Sequence, residues 1–398
     1  MKRDEMSVEA SNTDLPVWFK EEDIDVNEFI RLTDRTTDAA SYPLAEEIIS
    51  NVVIYDSKKL LDSAQTGPSW KEAKAELAKV FGSGPGIAVF RNAYADMEAF
   101  RRATETFESM ITDQKAAGIE SGDHFAKPGA NDRVWGLQTK FARKDPKAYV
   151  SYYSNPIIEL AASAWLGPMY QVTSDLNVVN PGGEAQRPHR DYHLGFMSRE
   201  TAAEFPSHAH LLSPALTLQG AVAHCDMPVE TGPTLYLPYS HLYPQGYIAA
   251  THPQIQAYFA DHYVQLPLRE GDVVFFNPAL YHGAGTNRSA STRRMANLLQ
   301  ISSAFGRALG TVDRESICAS IYPELLELSA EGRVEDVRRV IASSAEGYAF
   351  PTNLDRDQPI GGLNPETQAE LLQRAVSERM APEELQEALR KQAERHQA

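Results

Sequence analysis

Two histidines and one aspartate stand where this sequence could hold a metal. In QRPHRDYHLGF, residues 186–196, His189 and Asp191 are two apart and His193 is two further on. In an extended chain, residues two apart point to one face. One strand end would therefore aim an imidazole, a carboxylate and a second imidazole into one cavity. Far downstream, GDVVFFNPALYHGAG carries His282 at the end of an apolar run. Two neutral imidazoles and one carboxylate on one face, with positions left open, suit a non-haem iron(II) centre. A single negative ligand leaves such a centre net positive, which favours an anionic chelating cosubstrate and then dioxygen. His193 is expected beside the ligands rather than among them, because a fourth protein ligand would consume an open position.

A cationic partner for that cosubstrate follows His282. In HGAGTNRSASTRRMANLLQ, Arg293 and Arg294 begin another strand-like run. Alternation puts Arg293, Met295, Asn297 and Leu299 on one side. If that side faces the cavity, Arg293 is a buried cation that needs an anion. Its guanidinium could grip the far carboxylate of a metal-chelating keto-diacid through two parallel hydrogen bonds. Asn297 would share that pocket.

The elements that must position these groups are short strands. From 169 to about 305, MYQVTSDLNVVN, ALTLQGAVAHC, PTLYLPYS, YVQLPL, DVVFFNP and RRMANLLQIS are strand-like and punctuated by Gly, Pro and Asn. Such a pattern predicts an antiparallel sandwich or barrel, and a jelly roll of the cupin type closes one. The expected fold is a mainly β sandwich or jelly-roll barrel with α-helices at both ends. Residues 1–80 form a helical N-terminal extension, 81–310 the core and 311–398 a helical C-terminal extension. EEDIDVNEFIRL, SWKEAKAELAKVF, MEAFRRATETFESMI and NPIIELAASAWLGP have helical spacing, as do VEDVRRVIASSAEGY, PETQAELLQRAVSERM and PEELQEALRKQAERH.

Bulk properties narrow the class. The 398 residues are 42% hydrophobic and carry a net charge of −16. That balance lacks the basic footprint of a nucleic-acid or anionic-membrane binder. The two cysteines, Cys225 and Cys318, form no CxxC and fit a reducing compartment. MKRDEMSVEA shows no apolar segment of a secretory signal, and no run of about 18 apolar residues could span a membrane. A cytoplasmic enzyme is expected. GSGPG (82–86) lacks the Gly-Lys-Ser/Thr ending of a phosphate loop, and no HExxH, GxSxG or GxGxxG is present.

Taken together, HRDYH (189–193), VETGPTLYLPYSH (229–241) and FFNPALYHGAGTNRSASTRR (275–294) resemble the phytanoyl-CoA dioxygenase family of iron(II)- and 2-oxoglutarate-dependent oxygenases, over roughly 84–306. The family pattern is HxD, a segment close to ENG…PGSH, then HGxGxN with an arginine eleven residues after the distal histidine. That spacing selects Arg293. The resemblance implies a double-stranded β-helix, a cupin-like jelly-roll barrel with helices packed outside, iron held by His189, Asp191 and His282, and 2-oxoglutarate paired with Arg293. It implies an oxidoreductase that uses O2 to hydroxylate a small organic molecule, releasing succinate and CO2. Asp191 argues against halogenation, for which relatives replace the acidic ligand with a small residue. The sequence departs from the pattern at Tyr239, where glycine is usual, and at Gln219, where tryptophan is frequent. Gln219 could bind the cosubstrate or be a core amide satisfied by backbone. The rival reading is a non-catalytic or zinc-binding cupin-like barrel.

Loops near 120–135 (with His124, Lys127 and Arg133), 194–210 and 350–364 are the expected pocket shapers. No run of lysines and arginines suits a coenzyme A phosphate. Any homo-oligomer is expected to form through the terminal helices.

Overall fold

Runs of consecutive apolar residues build a sheet that is buried on both faces at its centre. The computed structural model describes residues 15–64, 67–119 and 129–398. Its strands are β1 (Glu47–Ile49), β2 (Val52–Asp56), β3 (Ile87–Arg91), β4 (Asn131–Val134), β5 (Gln171–Val179), β6 (Thr217–Ala223), β7 (Leu235–Tyr236), β8 (Val273–Phe276), β9 (His282–Gly283) and β10 (Arg294–Ser302). Eight form one sheet in the order β1-β2-β3-β8-β6-β10-β5-β4, and β7 and β9 form a second, short sheet. All pairings are antiparallel except β2 with β3.

The period of two decides which residues meet which layer. Val53, Tyr55, Ala88, Phe90, Val273 and Phe275 pack with the helices. Their neighbours Val52, Ile54, Ile87, Val89, Val274 and Phe276 turn the other way, toward Tyr236 and Leu280 on the short-sheet side. The interior between the two sheets holds the cavity described below. The double-stranded β-helix is thus present, although helix outweighs strand among the described residues. None of the described helices is long and apolar enough to cross a membrane.

Three local differences from the sequence reading have physical reasons. NVVIYD, within the stretch read as helical, forms β2 and joins the large sheet, because its four consecutive apolar residues are buried on both faces. YVQLPL makes only isolated bridges, at Val264 and Leu268. PETQAELLQRAVSERM does not start at its proline. Thr367 caps the helix at Gln368–Glu378, with a reciprocal bond to Glu370. Around the core, Pro156–Leu166 ends at Gly167, and Arg314–Ala330, Val334–Ser344, Gln368–Glu378 and Pro382–His396 form a helical layer. The Tyr322 hydroxyl ties that layer together, donating to the carbonyls of Ala375 and Met380 at 2.9 and 2.7 Å.

Candidate active site

Backbone hydrogen bonds bring the two ligand segments together. His189 N–H donates to the His282 carbonyl at 3.0 Å and His282 N–H to the His189 carbonyl at 3.1 Å. Asp191 N–H donates to the Pro278 carbonyl at 3.0 Å. The HxD segment is therefore a bridged loop, not the continuous strand its spacing suggested. Beyond Asp191 the chain turns into a 3-10 helix, His193–Phe196. His193, at φ 25°, leaves the face of the other two and packs its ring on Tyr192.

Each imidazole is fixed through its Nδ1. His189 Nδ1 meets the Arg187 carbonyl at 2.8 Å, and His282 Nδ1 meets the Leu280 carbonyl at 2.8 Å. A carbonyl only accepts, so each Nδ1 carries the proton and each Nε2 keeps its lone pair. Those Nε2 atoms converge on Asp191, at 3.6 Å from Oδ1 for His189 and 3.7 Å from Oδ2 for His282. One ligand atom from each residue lies within 4.8 Å of the others. Gln219 Nε2 donates to Asp191 Oδ2 at 2.6 Å, and the Tyr247 hydroxyl donates to the Asp191 carbonyl at 3.0 Å. Burial alone would raise the Asp191 pKa, but the His282 and His189 rings, once protonated, and the Gln219 amide hold it down at about 2.

Behind Asp191, the buried Arg190 donates to the carbonyls of Ser240 and Tyr243. Gly246 lies so close that an added Cβ would overlap the Arg190 guanidinium. This contact pins the 240–246 turn to the HxD loop. At its edge Tyr239 sits at φ 67°, a conformation that glycine adopts freely, which gives the physical reason for the usual glycine there. Here the Tyr239 hydroxyl bonds Thr37 at 2.7 Å.

The three convergent groups open on a cavity of about 930 Å³. Gln219 and Gln300 line it near the ligands, and Val274, Phe276, Leu266 and Leu268 supply apolar wall. Arg294 lines it too. It is 7% exposed and donates to the carbonyls of Thr231 and Gly285 at 3.2 and 3.3 Å. Burial lowers its pKa to about 10, so it stays charged at neutral pH.

The placement of Arg293 is a correction. Its side chain points out of the cavity and pairs with Glu108 at 2.8 Å and Asp132 at 3.3 Å. Asn297 shares that outer face and donates to the Tyr152 hydroxyl at 3.1 Å. Met295, Leu299 and Ile301 belong to the core under the helices, whereas Arg294, Ala296, Leu298 and Gln300 face the cavity. A strand read one residue out of phase inverts every side chain. A signal was available. The odd-numbered face is the more apolar, so it is the one to set against the helices.

The donor set fits a divalent iron ion: two proton-free imidazole nitrogens and one carboxylate, oriented by outer hydrogen bonds and open to a cavity. The sequence model of the phytanoyl-CoA dioxygenase family matches residues 84–295, more than half of the chain and inclusive of His189, Asp191 and His282. The chain belongs to the phytanoyl-CoA dioxygenase family. Among curated proteins, it is 31% identical over 114 residues to the dioxygenase trt7 of Aspergillus terreus, covering 29% of this chain and 34% of the relative. It is 29% identical over 119 residues to the dioxygenase andF of Emericella variicolor, covering 29% and 35%. The chain thus spans about a third of the length of those relatives. Among solved structures, AviO1 from Streptomyces viridochromogenes Tue57 is 21% identical, with a TM-score of 0.43 over 56% of this chain and 92% of its own. The epimerase SnoN from nogalamycin biosynthesis is 20% identical, with a TM-score of 0.42 over 59% and 82%.

Proposed function

We propose that this phytanoyl-CoA dioxygenase family member hydroxylates a small organic molecule, with 2-oxoglutarate as cosubstrate and release of succinate and CO2. The observation that carries this is the convergence of His189, Asp191 and His282 on a cavity whose wall also holds the buried cation of Arg294. When bound, iron and 2-oxoglutarate supply the oxidation of a substrate C–H bond by dioxygen.

The chain's residues prepare for that chemistry. His189 and His282 offer neutral nitrogens because their Nδ1 protons are committed to carbonyls. Gln219 fixes the orientation of the Asp191 carboxylate. Arg294 takes the part first given to Arg293: its guanidinium receives the far carboxylate of 2-oxoglutarate. The apolar wall excludes water and strengthens that pair. Gln219 acts through Asp191 in this reading, and Asn297 has no contact with the cosubstrate.

Succinate formation in the presence of a metabolite library, with iron(II) and 2-oxoglutarate supplied, tests the proposal. Asp191→Ala should abolish it while the protein stays folded. A folded Asp191→Ala protein with wild-type turnover would overturn the reading. Tight binding of zinc with no turnover would favour the ligand-binding barrel instead. The products distinguish hydroxylation from desaturation or ring closure.

A further inference from the structure

The cavity wall is cationic in an acidic protein. The chain has a net charge of −16, yet among the described residues Arg133, Arg187, Arg190, Arg199 and Arg294 line the cavity, against the single carboxylate of Asp191. Two of these cations are already committed. Arg190 is turned into the 240–246 turn, and Arg294 is assigned to the cosubstrate. The other three come from β4, from the approach to the HxD pair and from the helix Arg199–Ala203. Nothing in the sequence groups them; the fold does.

These three differ in what they have left to offer. Arg133 is 8% exposed and stacks over the Trp135 ring at 4.0 Å. Arg199 pairs with Glu21 at 2.6 Å. Arg187 is exposed and makes no ion pair among the described residues, while its carbonyl orients the His189 ring. It is therefore a cation anchored two residues from His189 and lacking a counter-ion among the described residues. The wall of the same cavity is in part apolar yet open to solvent: Trp135 is 39% exposed, Phe196 50%, Met197 38% and Leu309 45%. Apolar surface of this kind at a cavity rim is covered favourably by an apolar ligand.

We propose that the substrate is an amphiphile, with a broad apolar body against Trp135, Phe196, Met197 and Leu309 and an anionic group bound by Arg187. This rests on the oxygenase reading only in taking the metal-side cavity as the substrate site. A carboxylate or a phosphate ester would satisfy the guanidinium equally.

The test is calorimetric titration of the iron(II)-loaded protein, kept anaerobic, with 2-oxoglutarate saturating so that Arg294 is occupied. The probes are 2-naphthoate, 2-naphthyl phosphate and neutral 2-naphthamide. At least one anion should bind about tenfold or more tightly than the amide, the effect of one charge-assisted contact. Whichever anion gains more identifies the group. Arg187→Gln should erase the preference and leave naphthamide affinity within about twofold. Anions that bind no better than the amide, including no binding by any probe, overturn the proposal. So does a preference that survives in Arg187→Gln. The visible band of the iron(II)–2-oxoglutarate complex, read in the same samples, separates the two ideas. Its absence defeats the oxygenase assignment, whereas its presence with equal affinities defeats only the anionic-substrate assignment.

Discussion

At the scale of single residues, the convergence of His189, Asp191 and His282 was legible and the orientation of the two arginines was not. His189 and Asp191 are set by a local motif, and His282 ends an apolar run, so each was recognisable without knowing which way the sheet faced. The choice between Arg293 and Arg294 depends on which side of β10 meets the helices, and a count of eleven residues from His282 cannot supply that. The two arginines give opposite predictions. Arg294→Gln should raise the KM for 2-oxoglutarate roughly 10- to 100-fold, the loss of a charged hydrogen-bonded contact. Arg293→Gln should leave that KM unchanged and cost about 0–1 kcal/mol of stability, because its ion pairs with Glu108 and Asp132 are partly exposed. Steady-state kinetics and denaturant unfolding of both variants check this.

At the scale of elements, the strand pattern from 169 to 305 was legible because its runs are apolar and punctuated. The helix Arg314–Ala330 was not, since Pro323 interrupts its pattern and it carries little one-sided apolarity. The HxD loop was misread as a strand because alternation alone cannot tell a ladder from a single bridged pair. Of the expected pocket loops, 194–210 supplies Phe196, Met197 and Arg199 to the cavity, and 129–135 supplies Arg133 and Trp135. His124 and Lys127 lie outside the described residues. Loop 350–364 rests against the C-terminus, where Asn353 and Arg356 donate to the Gln397 carbonyl at 2.9 and 3.3 Å. The turn at Tyr239 gives a stability prediction. Glycine would relieve a backbone cost of about 1–2 kcal/mol, but it removes a buried ring whose loss costs about 3–5 kcal/mol. Tyr239→Gly should therefore lower the midpoint of urea unfolding.

At the scale of the whole molecule, buried histidines make the fold sensitive to acid. Burial holds the His224 pKa at about 3, and the ring lies between Thr104 at 2.8 Å and the Tyr152 hydroxyl at 3.0 Å. Burial, with Arg190 nearby, also holds His241 at about 3. A histidine with a depressed folded pKa resists a proton that the unfolded chain accepts. Its contribution to stability is present above about pH 6.5 and is lost as the pH falls toward 3. The expected slope is about 1.4 kcal/mol per pH unit for each such histidine. His224→Gln should flatten the acid limb of the unfolding free energy measured between pH 7 and 4. Metal and cosubstrate act in the other direction. Iron(II) with 2-oxoglutarate should raise the melting temperature, because both bind the folded state alone, and a chelator should reverse the gain.

The most direct test of the metal centre and its arginine is an anaerobic titration of iron(II)-loaded protein with 2-oxoglutarate, followed by its visible charge-transfer band. Wild type and Arg293→Gln should give the same band and midpoint, Arg294→Gln a midpoint shifted to much higher concentration, and Asp191→Ala no band. A band that survives Asp191→Ala, or a midpoint that moves with Arg293 and not with Arg294, would contradict the account.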